Sequence, residues 1–109
     1  MASEIAIMHI LNGEHYSGLE RVVDQLSELA PEYGYRLHLV FLKPLTMRLR
    51  MKSTQVTIYE CPMRNKLDVF ASAKKISAIA KDADCRLIHS HCVRSTLVAS
   101  RVKKQTGLP

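Results

Sequence analysis

Ile5-Ala-Ile-Met-His-Ile-Leu11, then Asn12-Gly-Glu-His-Tyr-Ser17, then Gly18-Leu-Glu-Arg-Val-Val-Asp-Gln-Leu-Ser-Glu-Leu29 are the three consecutive pieces whose reading decides the fold. The first is a short, almost continuous apolar run of strand length. The second is a polar turn that carries Gly13. In the third, Leu19, Val22, Val23, Leu26, Leu29 and Ala30 recur at spacings of three and four, the signature of an amphipathic helix. Ser17 stands where an N-cap belongs and Glu20 follows three residues later, which makes a capping box whose loss should cost about 1 kcal/mol. Strand, glycine-bearing turn and capped helix place a helix N-terminus at the carboxyl end of a sheet. Free backbone N–H groups and the helix dipole there attract anionic or polar ligands.

The rest of the chain repeats this unit. Pro31 and Gly34 close the helix. Residues 36–42, Arg36-Leu-His-Leu-Val-Phe-Leu42, read as a second strand, apolar enough to be covered on both faces as in a parallel sheet. Residues 45–52 alternate Met and Leu with Arg and Lys, and a short helix or irregular connection is expected there. Residues 55–59 form the third strand. A helix is expected over 66–83, with Asn65 and Asp68 at its start and Val69, Ala73, Ile76, Ala80 and Ala83 as its buried stripe. Residues 86–91 form the fourth strand and residues 94–105 the last helix, ended by Gly107. Alternation of this kind predicts an α/β protein: a Rossmann-like three-layer sandwich, with a parallel β-sheet and helices on both faces. Ligands of such sheets lie beyond the carboxyl ends of the strands, which singles out the loops at 12–18 and 89–95.

Composition bounds the function. The chain has 109 residues, fit for one domain, and 47% hydrophobic residues, too many for a disordered segment. Sixteen Lys and Arg against ten Asp and Glu leave a net charge of +6, which favours phosphate-bearing partners or an anionic membrane surface. Three cysteines without CxxC spacing fit free thiols in a reducing compartment. With no basic leader and no apolar run of about 20 residues, the expected location is cytoplasmic. The basic stretch 43–52 reads first as a solvated surface loop whose apolar residues face the core, with peripheral contact to the inner face of the membrane as the alternative. Four Tyr and two Phe, none clustered, provide no stacking platform, so nucleic acid is not an expected partner.

Known chemical motifs fit poorly. Gly13 and Gly18 have the spacing of a Walker A loop, but Leu19 and Glu20 stand where lysine and a hydroxyl are needed. His15 takes the place of the middle glycine of a dinucleotide fingerprint, and Lys43 follows the second strand where a ribose-binding acid would be. A receiver domain needs aspartates that are absent after the first and third strands. His89 and His91 share one face of a strand and, with Cys92, are potential zinc ligands. The alternative has one histidine packed on the flanking helix and the other at the strand tip near solvent. Without a second cluster of ligand spacing, that alternative is preferred and no metal is expected. His9 and His38, inside strands, read as structural.

Taken together, Ile7-Met-His-Ile-Leu-Asn-Gly13 with Ser17-Gly-Leu-Glu-Arg-Val-Val23, Tyr35-Arg-Leu-His-Leu-Val40, and Leu87-Ile-His-Ser-His-Cys-Val-Arg-Ser-Thr-Leu97 with Thr106-Gly-Leu-Pro109 resemble the N-terminal domain of family 4 retaining glycosyltransferases. The resemblance implies one half of a GT-B fold. It further implies that residues 1–109 are a single Rossmann-like domain whose donor-binding C-terminal partner domain is not included. Gly13, Ser17, Gly18 and Glu20 would form the loop near the donor phosphates, with Ser17 replacing the family's first glycine. His91 and Arg94 would lie on the acceptor side. The whole enzyme would move a sugar from a nucleotide-sugar to a glycan or lipid-linked acceptor, with no further cofactor. No catalytic residue is assigned within this chain, which is expected to be inactive alone and to self-associate through an exposed sheet edge. The competing expectation is a stand-alone α/β module that binds a phosphate-bearing ligand.

Overall fold

A computed structural model of the chain describes residues 4–11, 18–42, 56–61 and 68–109, without side chains at positions 18–20, 93 and 94. The expected segment at 45–52, the Ser17 cap and Asn65 lie outside the described residues. The elements, in chain order, are β1 (Ile5–Leu11), α1 (Gly18–Leu29), a 3-10 turn (Ala30–Tyr33), β2 (Tyr35–Phe41), β3 (Val56–Glu60), α2 (Val69–Asp82), β4 (Cys85–Ser90) and α3 (Val93–Thr106). Each lies within a few residues of the expected position.

The four strands form one sheet in the order β3-β2-β1-β4. All three pairings are parallel, with β1 flanked by β2 on one side and β4 on the other. The order runs outward from β1 to β3, then reverses so that β4 lies on the opposite flank of β1. That reversal is the topological switch point of an open α/β sheet, and it opens a crevice at the carboxyl ends of β1 and β4.

Alternation along the strands divides the core into two layers. One layer gathers Ala6, Met8 and Ile10 of β1 and Val40 and Leu42 after them against Ala73, Ile76 and Ala80 of α2 and Val98 and Val102 of α3. The two helices are also joined directly. Ser77 Oγ donates to Gln105 Oε1 at 2.7 Å, and the Arg101 guanidinium carbon lies 4.8 Å over the Phe70 ring. The other layer packs Leu11, Leu37, Leu39 and Phe41 against Val23 and Ala30 on the α1 side. The structure is therefore the expected parallel sheet with helices on both faces.

α1 departs from its expected packing. Val23, Asp24, Ser27 and Ala30 are buried, whereas Val22, Leu26 and Leu29 are 59%, 45% and 51% exposed. The helix rests on the sheet along its Val23–Ser27–Ala30 line, and Leu26 and Leu29 of its apolar stripe border a cleft with Ile7, His9, Tyr35 and Leu37. Leu87 of β4 is exposed as well. The amphipathic pattern identified the helix but not the phase at which it docks. α2 also differs at its start. Asp68 holds the N-cap position but makes no side-chain capping hydrogen bond.

The helix ends follow sequence chemistry. Gly107, at φ 75°, caps α3 and donates its N–H to Lys103 O at 2.8 Å. Beyond it the chain turns back along β4, where the Ile88 N–H donates to Pro109 O at 3.0 Å. Gly34, at φ 82°, closes the 3-10 turn and accepts a hydrogen bond from the Ile5 N–H at 2.9 Å. A Cβ at Gly34 would meet no atom within 4 Å. Gly34→Ala therefore tests backbone strain alone, and a loss of about 1–2 kcal/mol in urea denaturation is expected. Unchanged stability would show that the left-handed conformation is not required.

Candidate functional site

The switch point is polar. His9 lies next to the carboxyl end of β1, directly paired with His89 of β4. This pairing depends on an irregularity lower in the ladder. Ala6 is opposite Cys85, but Ile7 is opposite Leu87, so Arg86 is the extra residue of a bulge. The slip lets Cys85 and Ile88 both pack with the α2–α3 layer. It also puts Leu87 and His89 beside Ile7 and His9 on the α1 side, because a one-residue shift exchanges the faces of every later side chain.

Three imidazoles consequently meet. His9 Nδ1 lies 2.7 Å from His91 Nε2, so one ring N–H is shared between the two nitrogens. Their ring centroids are 5.0 Å apart with planes inclined by 15°. Those two values place the rings edge to edge and nearly coplanar. His89 stacks on His91 with centroids 4.2 Å apart and planes inclined by 16°. His9 is 3% exposed, His91 is half-buried and His89 is exposed. Burial, then the nearby charges of His91 and His89, push the pKa of His9 from 6.5 down to about 3. His9 is thus neutral throughout the physiological range.

The backbone around His91 is held by the start of α3. The His91 N–H donates to Ile10 O at 3.2 Å, which ties the loop to β1. It also donates to Ser95 Oγ at 3.0 Å, and the Cys92 N–H donates to the same oxygen at 2.8 Å. The Ser95 N–H donates in return to Cys92 Sγ at 3.3 Å, completing a capping box in which a thiol replaces the usual hydroxyl. Sequence reading missed this cap because cysteine is not among the favoured N-cap residues. The Ser95 signal three residues later was present.

Of the expected site residues, Gly13 and Ser17 lie outside the described residues. Gly18 and Glu20 are in the first turn of α1, and Arg94 is in the first turn of α3. Leu11, just before the first expected loop, and His91, within the second, leave the same rim of the sheet. The expected packing of one of the His89–His91 pair against a helix is replaced by mutual stacking and by the bond to His9. His38, on the opposite face, places Nδ1 3.1 Å from Tyr59 Oη. Burial, then the neighbouring Arg36 charge, lowers its pKa. An apolar cleft borders His9 on the α1 side, lined among others by Ile7, Leu26, Leu29, Tyr35 and Leu37.

No protein-family model matches the chain, and no curated protein sequence matches it. Solved structures do. A glycosyltransferase from Rickettsia africae ESF-5 superposes with a TM-score of 0.80 at 15% identity, over 96% of this chain and 28% of its own. Anabaena Alr3699/HepE, solved in complex with UDP and glucose, gives 0.73 at 11% identity, over 97% of this chain and 28% of its own. The lipopolysaccharide outer core galactosyltransferase WaaB, in its apo form, gives 0.70 at 16% identity, over 96% and 31%. The chain therefore has the fold of a Rossmann-like portion of glycosyltransferase structures and spans under a third of their length.

The folded-state pKa of His9 lies below its ordinary value of 6.5, so its stabilising contribution is complete above that pH and is lost as pH falls toward about 3. Between those limits the wild type should lose up to about 1 kcal/mol per pH unit more than His9→Asn in urea titrations. Parallel pH profiles would contradict the assignment. Ser95→Ala, which removes the acceptor of two backbone N–H groups, should cost about 1–3 kcal/mol. Cys92→Ser, by contrast, should stay within about 0.5 kcal/mol of the wild type, since serine is a good cap. Wild-type stability of Ser95→Ala would dismiss the cap.

Proposed function

We propose that this chain is the acceptor-side N-terminal domain of a retaining glycosyltransferase that moves a sugar from a nucleotide-sugar to a glycan or lipid-linked acceptor. One observation carries the reading. Nearly the whole chain superposes on three glycosyltransferases, while covering under a third of each. The sequence resemblance at both ends of the chain points the same way, and HepE was solved with UDP and glucose. The net charge of +6 favours a diphosphate-bearing donor.

In this reading the loop containing Gly13, Ser17 and Gly18 runs close to the donor diphosphate. The first N–H groups of α1, with Glu20 in its first turn, define the electrostatics of that approach. His91 and Arg94 face the acceptor from the other side of the crevice. Transfer needs donor, acceptor and diphosphate stabilisation together. A single Rossmann-like domain supplies only one wall of such a crevice, so the isolated chain is inactive. No described helix is long and apolar enough to cross a membrane.

The reading frame beyond Pro109 and the activity of the complete protein test this. A second Rossmann-like domain is expected downstream. In that complete enzyme, Gly18→Val should lower kcat by about 100-fold, the scale of losing a preorganised charge-stabilising group. Arg94→Ala should raise KM for the acceptor more than for the donor. A stop codon directly after Pro109, or sugar transfer by the isolated chain, would overturn the proposal. The former would favour a stand-alone phosphate-binding module.

A further inference from the structure

His9, His89 and His91 each offer one ring nitrogen, and the three atoms all lie within 4.8 Å of one another. We propose that these three histidines bind a single divalent transition-metal ion of the zinc class at the rim of the β1–β4 crevice, leaving at least one coordination position open.

The donor set selects the ion. Three neutral imidazoles suit Zn²⁺, Ni²⁺, Cu²⁺ or Co²⁺, whereas Mg²⁺ and Ca²⁺ require oxygen ligands that the trio lacks. Three protein ligands with a vacant fourth position are typical of an exchangeable zinc site, not a closed structural one.

The geometry is close to what an ion needs. His9 is anchored in the central strand and its ring is buried. Its Nδ1 already faces His91 Nε2 at 2.7 Å, in nearly coplanar rings. Their lone-pair directions therefore converge on the space between them. An ion replaces the shared proton if that separation opens to about 3.3 Å, the span of two bonds of about 2.0 Å at a tetrahedral angle, and the two rings swing out of their head-on alignment so that both lone pairs meet the ion. His91 follows the last residue of β4, and its backbone N–H is held by Ile10 O and Ser95 Oγ, so the shift is made by its side chain. His89 supplies the third bond by rotating out of its stack on His91, and its exposure on the strand leaves room for that rotation. The ion adds charge to a chain already at +6, so an anion or water oxygen in the open position completes the site favourably. This site does not depend on the transferase reading, because the isolated chain binds the ion without any sugar nucleotide.

The test titrates the purified 109-residue chain, carrying no polyhistidine tag, with Co²⁺ and then Zn²⁺. One equivalent of Co²⁺ should give visible d–d bands without thiolate charge-transfer absorption, which excludes Cys61, Cys85 and Cys92 as ligands. Zn²⁺ should displace it and excess Mg²⁺ should not. His89→Ala, with circular dichroism unchanged, should weaken Zn²⁺ binding by at least about tenfold, since even second-shell losses at metal sites cost 10–100-fold. In the wild type, Zn²⁺ should shift the ring nitrogen resonances of His9, His89 and His91 and leave His38 unmoved. No binding, thiolate bands, wild-type affinity in His89→Ala, or shifts that omit His9 would each overturn the proposal.

Discussion

Everything at the crevice end of this molecule depends on β1 pairing in parallel with β2 on one flank and β4 on the other. Because β1 is central and its residues from Met8 onward are buried, a polar side chain on it must find a partner within the protein. His9 meets that requirement through His91, 82 positions away in sequence. The same pairing brings the ends of β1 and β4 to one rim, where the crevice of an open α/β sheet forms. Sheet topology and site chemistry thus share one cause.

The two faces of the sheet are finished differently. Toward α2 and α3 the core is dry, filled by Met8, Ile10, Ile76, Val98 and Val102, all fully buried. Toward α1 the cover is partial. Val22, Leu26 and Leu29 are exposed, and an apolar cleft runs beside His9. The closed face fixes the strands rigidly, while the open face leaves His89 and the crevice accessible.

Much of the fold was legible in the sequence because strand-length apolar runs and glycine punctuation act locally. Gly34 and Gly107 adopt the left-handed conformations that their positions after helical turns imply. What escaped depended on distant parts of the chain. The docking phase of α1 is set by the sheet beneath it, so a stripe containing Val22 and Leu26 looked buried and is not. His9 read as a structural residue, separate from His89 and His91. Only the bulge at Arg86 puts it on their face, and no local pattern around Cys85-Arg86-Leu87 announces a one-residue slip. The cap of α3 was missed for a chemical reason, because a thiol does the work of a hydroxyl.

The central claim is that β1 and β4 run in parallel with His9 opposite His89, which brings the imidazoles of His9 and His91 into contact. Nuclear Overhauser contacts in the isotope-labelled chain measure this directly. The account predicts parallel-sheet backbone contacts between Met8–Ile10 and Ile88–Ser90, together with ring-to-ring contacts from His9 to His91. An antiparallel pattern, or a register offset by one residue that separates those rings, would contradict it.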